Sequence, residues 1–172
     1  MEADWEVEVG GGAPVIDALW SGLDGAAGFV DLRAHPERIV EIEEAANCAP
    51  LAKLLLALNA AQSSVWTSKC DVWEPESGAL ALYLDVLPLT GEVFAELRQA
   101  EDFCRQVVRN LESAENSADG SVELVIRQAI AGENDGFGVT AYLNAQGLEA
   151  LAATMAGFAD TVALWKPAAN PD

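Results

Sequence analysis

Residues 80–86, Leu-Ala-Leu-Tyr-Leu-Asp-Val, place a leucine or valine at every second position. Residues 137–145 repeat the pattern, with Val139, Ala141 and Leu143 on one side. A period of two marks a strand that buries one face. Each segment is preceded by another alternating run and a turn: "SVWTSKCDVW" and "EPESG" before the first, "SVELVIRQA" and "GENDG" before the second. Each is followed by a helical pattern, over 91–112 and 147–164. The chain therefore reads strand–strand–helix twice, over about 64–112 and 121–164. The second strands share a core, "ALYLDV" beside "TAYLNA", which matches Tyr83 with Tyr142 and Asp85 with Asn144.

This order predicts an α+β fold: an antiparallel sheet with helices packed on one face, built on an internal duplication. The chain has 172 residues, which suits one domain over 1–165, with 166–172 as a frayed tail carrying two prolines. "DWEVEV" at 4–9 reads as a further strand, ended by the glycines at 10–12. In 13–32, "VIDALW" reads as a short helix or turn and "GFVDL" as a short strand. From Pro36 a helix is expected, with Ile39, Ile42, Ala45 and Ala46 on one face and a break or kink at Pro50. A second helical piece follows, carrying Leu51, Leu54, Leu55 and Leu58. The later helices bury Val93, Leu97, Ala100, Cys104, Val107 and Leu111, then Leu148, Leu151, Met155, Phe158, Ala159 and Val162.

Strict alternation then divides the sheet residues between two faces. The helices take Leu80, Leu82, Leu84, Val86, Val122, Leu124, Ile126, Val139, Ala141 and Leu143, and strand 64–73 gives them Trp66, Ser68, Cys70 and Val72. The opposite face receives Thr67, Lys69, Asp71, Trp73, Tyr83, Asp85, Glu123, Arg127, Thr140, Tyr142 and Asn144. Lys69 stands out because the chain has three lysines, Lys53, Lys69 and Lys166. That face is a solvated or internally paired surface, or else a binding face. The candidate binding residues are Lys69, Asp71, Trp73, Tyr83, Asp85, Arg127 and Tyr142: aromatic area with a few orienting charges. Lys69 is expected to pair with Asp71 or Asp85, and Arg127 with Glu123.

Charge narrows the partners. With 28 acidic and 9 basic residues the net charge is −19, while 51% of residues are hydrophobic, so a folded acidic protein is expected. Such a surface repels nucleic acid and anionic lipid and attracts cations or a basic protein. The five tryptophans have no basic groove beside them for base stacking. Cys48, Cys70 and Cys104 are widely spaced without a CxxC pair, which fits reduced thiols in the cytoplasm. The N-terminus lacks a basic start and an apolar run, and no apolar stretch is long enough to span a bilayer. The single histidine, His35, has no local thiol partner, the acidic turns lack calcium-loop spacing, and the glycine triplet lacks the phosphate-loop pattern. No cofactor and no metal is expected, and the reading leans away from an enzyme.

In element order the chain is similar to the duplicated small-molecule-sensing modules of GyrI-like regulators; the likeness covers element order only, and no residue is carried over from it. Two functions stay open. The first is an interaction protein, inhibitor- or immunity-like, whose acid complements a basic partner. The second is a small-molecule-binding domain that uses the polar face. A homodimer is possible as well, and dimerisation through the polar face would weaken both readings.

Overall fold

In the computed structural model, residues 1–18, 30–75, 78–113 and 119–167 are described. Among these residues six strands form one sheet: β1 (Glu2–Val7), β2 (Val15–Ala18), β3 (Val65–Trp73), β4 (Leu80–Pro88), β5 (Gly120–Ala131) and β6 (Asn134–Ala145). The helices are α1 (Glu43–Asn47), α2 (Ala49–Leu58), α3 (Leu97–Ser113) and α4 (Leu148–Ala163), with a 3₁₀ turn at Pro36–Glu41. The strand order is β1-β5-β6-β4-β3, and β2 also lies on β5. The fold is α+β, as expected, but the sheet is mixed. β5, β6, β4 and β3 run antiparallel, whereas β1 and β2 run parallel to β5 along one edge. Parallel placement was not foreseeable from a lone alternating segment, because alternation fixes faces but not neighbours.

The register follows from burial. Leu82 lies opposite Leu143, Leu84 opposite Ala141 and Val86 opposite Val139 across β4 and β6. Val122, Leu124 and Ile126 extend this layer onto β5. Leu51, Leu54, Leu55 and Leu58 of α2, Phe103, Cys104 and Val107 of α3, and Leu151, Met155 and Phe158 of α4 complete the main core. Phe94, Phe103 and Trp165 close it with ring contacts, the tightest an edge-on one at 5.1 Å between Phe103 and Trp165. Two stripe residues depart from expectation: Val93 precedes α3 and packs elsewhere, and Leu148 is exposed at the start of α4. Among the described residues, no helix is long and apolar enough to cross a membrane.

The helix expected from Pro36 is shorter and broken earlier. Ile42 and Cys48 adopt extended backbone, so the stretch divides into the 3₁₀ turn, α1 and α2, with Pro50 in the first turn of α2 rather than at a kink. "VIDALW" begins as strand β2, not helix. Val30, Asp31 and Leu32 of the "GFVDL" segment are not in a strand, and the rest of that segment lies outside the described residues, as does most of the tail beyond Pro167. Gly10 and Gly12, at φ +115° and +95°, carry the chain out of β1 and back onto the same edge as β2. The "GENDG" turn is shorter than read: Ala131 pairs with Asn134, and Gly132 at φ +62° heads a two-residue hairpin turn.

The largest departure is a β-bulge in β3. Thr67 lies opposite Val86 and Cys70 opposite Leu84, so Ser68 and Lys69 together face the single residue Asp85. The extra residue reverses the alternation before it. Thr67 therefore faces the helices, and Trp66 faces away from them, the opposite of the expected assignment. Asn59, just past α2, holds this arrangement. Its side-chain amide donates to the Thr67 hydroxyl (2.7 Å) and the Leu55 carbonyl (2.8 Å), while its oxygen accepts from the Thr67 backbone N–H (3.1 Å).

Trp66 instead anchors a second, smaller core on the far side of the sheet with Ile16, Ala18, Leu87, Val93, Ala129 and Ala131. Its indole N–H donates to the Pro88 carbonyl (3.1 Å), and the Arg33 guanidinium stacks over its ring at 5.5 Å. Gly138 makes room for this core, since a Cβ there would come within 2.9 Å of Ile16 and 3.2 Å of Leu87. Asn59→Ala removes all three hydrogen bonds and strips the Thr67 hydroxyl and N–H of these partners at a half-buried site. It should lower unfolding stability by about 2 kcal/mol, measured by urea denaturation, and an effect below a few tenths would mean the bulge stands without Asn59.

Candidate functional site

The face of the sheet turned away from the helices is divided. Its lower half, at the β2 end, is the Trp66 core. Its upper half is polar, and alternation combined with the register fixes who meets whom. Asp71 of β3, Tyr83 of β4, Tyr142 of β6 and Glu123 of β5 lie side by side across four strands, with Asp4 of β1 next to Glu123. One row over come Asp85, Thr140 and Val125, with Glu6 at the edge. In the other direction Trp73 lies beside Ala81, Asn144 and Ser121.

Six of the seven sequence-derived candidates, Asp71, Trp73, Tyr83, Asp85, Arg127 and Tyr142, alternate onto this face, and several touch. The seventh, Lys69, stands on the bulge at the β3 edge. The Trp73 and Tyr83 rings sit 6.2 Å apart and the Tyr83 and Tyr142 rings 6.3 Å apart, both tilted. The Arg127 guanidinium donates to the Tyr142 hydroxyl at 3.2 Å. A continuous path of aromatic and cationic side chains thus crosses the sheet from the β3 edge to β5. Trp73 is 39% exposed at one end of it, whereas Arg127 is 7% exposed at the other.

The expected charge pairs differ. Arg127 does not pair with Glu123, which lies four residues away on the same strand, roughly 13 Å along it. It pairs with Glu8, just beyond β1, at 2.6 Å between Nη1 and Oε2. That contact is an ion pair outside hydrogen-bond alignment, for Nη1 is buried and has no hydrogen-bond acceptor among the described residues. Lys69 is exposed and, among the described residues, forms no ion pair with Asp71 or Asp85. It lines a hollow with Leu55, Asn59 and Thr67 at the β3 edge, and its positive charge acts on Asp85 from there.

Asp85 is the most unusual group on the face. It is 5% exposed, and its carboxylate accepts a hydrogen bond from the Thr140 hydroxyl at 2.7 Å. Burial pushes its carboxyl above the usual range; the Thr140 bond and the positive charges of Lys69 and Arg127 offset part of that rise. Burial also raises the Tyr83 phenol, helped by Asp85 and Asp71. On the helix side of β3 the Cys70 thiol is pushed up to about 12, chiefly by burial and then by Glu44, Asp71 and Asp85. A thiol held so far above neutrality is a poor nucleophile. His35 is exposed and sits 3.3 Å from Glu37.

Sequence reasoning missed the contribution of β1. Its alternation places Glu2, Asp4 and Glu6 on the open face beside β5, and Glu8 continues the series to Arg127. A cleft of about 290 Å³ opens there, lined by Glu2, Asp4, Glu6, Ser121, Glu123 and Asn144. The alternation of "DWEVEV" was readable, but the edge it joins was not. No family model matches the chain, and neither does a curated protein or a solved structure.

Asp85→Asn should stabilise the protein at neutral pH. The raised carboxyl means that the folded state holds a proton more tightly than the unfolded state, so this group's contribution is fullest at low pH. It is lost as pH rises from the ordinary carboxylate range, about 4, through the raised value. The melting-temperature gain of the variant should grow with pH over that window. A variant less stable than the parent at pH 7 would show that the ionised carboxylate is well paired.

Proposed function

We propose that the open sheet face is a docking surface for a basic protein, which makes this chain an inhibitor- or immunity-like interaction protein. The observation that carries this reading is the distribution of exposed acid on that face. Glu2, Asp4 and Glu6 of β1, Glu123 of β5 and Asp71 of β3 flank the tyrosine pair from both sides. Trp73, Tyr83 and Tyr142 supply contact area within the acidic frame, the combination that anchors protein interfaces. The net charge of −19 would accelerate encounter with a cationic surface and make it salt-sensitive.

The duplication proposed from the sequence gains support from the register. Tyr83 lies opposite Tyr142, and the acidic neighbours Asp71 and Glu123 lie outside them in matching positions, as a two-fold between β4 and β6 would require. We read residues 1–165 as one non-enzymatic domain. The free thiols of Cys48, Cys70 and Cys104 suit a reducing, cytoplasmic setting. The alternative is a small-molecule site on the same face. The buried Asp85–Thr140 pair and Arg127 favour it, but the cleft on that face lies elsewhere, among the β1 and β5 acids.

The test begins with capture of partners from native lysate at low salt, followed by affinity measurement with the purified candidate. Asp71→Lys and Glu123→Lys should each weaken binding about tenfold and flatten its salt dependence. Glu112→Lys, on the solvent side of α3, makes the same change in net charge and should have little effect. Equal losses from all three would reduce the interaction to net charge and defeat the docking surface. Binding of a small cation or metabolite that competes with the partner for this face would favour the alternative.

A further inference from the structure

The charge of this protein is unevenly spread over its helices. On α3 the exposed positions are Arg98, Gln99, Asp102, Arg105, Arg109, Glu112 and Ser113, and ion pairs such as Arg105–Glu101 and Arg105–Asp102 (both 2.8 Å) run along it. That is how this chain builds a helix for water. α2 and α4 are different. The exposed residues of α2 are Ala49, Lys53 and Ala57, and those of α4 are Leu148, Glu149, Ala153, Ala156, Asp160 and Ala163. Leu148 and Leu164, just past the helix end, are 53% and 65% exposed. Between the two helices runs a groove of about 310 Å³, with Leu54, Ala57, Ala152 and Ala156 in its lining and Lys53 and Asp160 on its opposite walls.

We infer that this groove seats a second copy of the chain, about a two-fold axis running along the groove. That axis lays α2 of each copy on α4 of the other and sets Lys53 against Asp160 of the second copy. Three features name a second copy as the occupant. Among the described residues, neither Lys53 nor Asp160 has an ion-pair partner, and one lies on each wall, so the surface is complementary in charge to itself. The alanines of both walls admit the close helix approach that an isologous contact needs. Finally, two chains of −19 each repel, and they meet at less cost on α2 and α4, whose exposed acids are Glu149 and Asp160, than on the acid-rich open sheet face.

The inference is independent of the acidic docking face, and salt separates the two. Binding of a basic partner weakens with salt, whereas self-association should strengthen as the mutual repulsion is screened. Sedimentation equilibrium of the full chain at low and high salt should show a monomer–dimer equilibrium that shifts toward dimer at high salt. Ala156→Glu puts bulk and charge into the groove at an exposed site and should weaken the dimer at least about tenfold, with the melting temperature of the monomer unchanged. Lys53→Glu and Asp160→Lys should each weaken it, and the double variant should restore it, an outcome that a nonspecific surface effect would not give. A monomer at every concentration and salt would overturn the inference. So would a dimer that ignores Ala156→Glu, or a double variant no better than its parents.

Discussion

The pairing of β4 with β6 governs the rest of the molecule. With Leu82 against Leu143 and Leu84 against Ala141, the leucines of these strands face the helices. A slip of one residue in β4 would turn that strand's leucines to the other side and bring Tyr83 and Asp85 beneath the helices. Burial of the leucines therefore dictates the composition of the polar face. Tyr83 meets Tyr142 because Leu82 and Leu84 have to meet their own partners.

The polar face is also limited by what covers its lower half. The Trp66 core, with Ile16 above Gly138, occupies the β2 end of the sheet, and Arg33 packs over Trp66. Only the upper half remains open, and that half is where the acid collects. Asp85 and Arg127 lie near the boundary between the two and are nearly closed off from solvent. Their environment is closer to that of a sealed polar seam than to that of an open binding surface. This explains why the exposed acids of β1, β3 and β5 carry the docking proposal and the buried groups do not.

Much of this was legible in the amino-acid order. The alternation of β4, β5 and β6 assigned Tyr83, Asp85, Arg127 and Tyr142 to one face correctly, because a period of two admits no ambiguity in a regular strand. It failed at Trp66 and Thr67, where one inserted residue inverts the assignment. The signal for that bulge is Asn59, an amide on a different element, whose meaning appears only once α2 and β3 are neighbours. β1 was read as a strand, yet its parallel alliance with β5 is a long-range choice that no local pattern encodes. Glu8 was therefore missing from the Arg127 environment.

The parallel edge has one more consequence. Glu2 lies beside Ser121, so the first strand of the chain completes its hydrogen bonds only against one of the last. During synthesis β1 emerges long before β5 exists, and closing so large a loop comes late in a folding reaction dominated by non-local contacts. The two hairpins, β3–β4 and β5–β6, need no such wait. Until β5 is available β1 has no partner in this sheet, and its alternating acids, Glu2, Asp4 and Glu6, disfavour pairing of that edge with other chains.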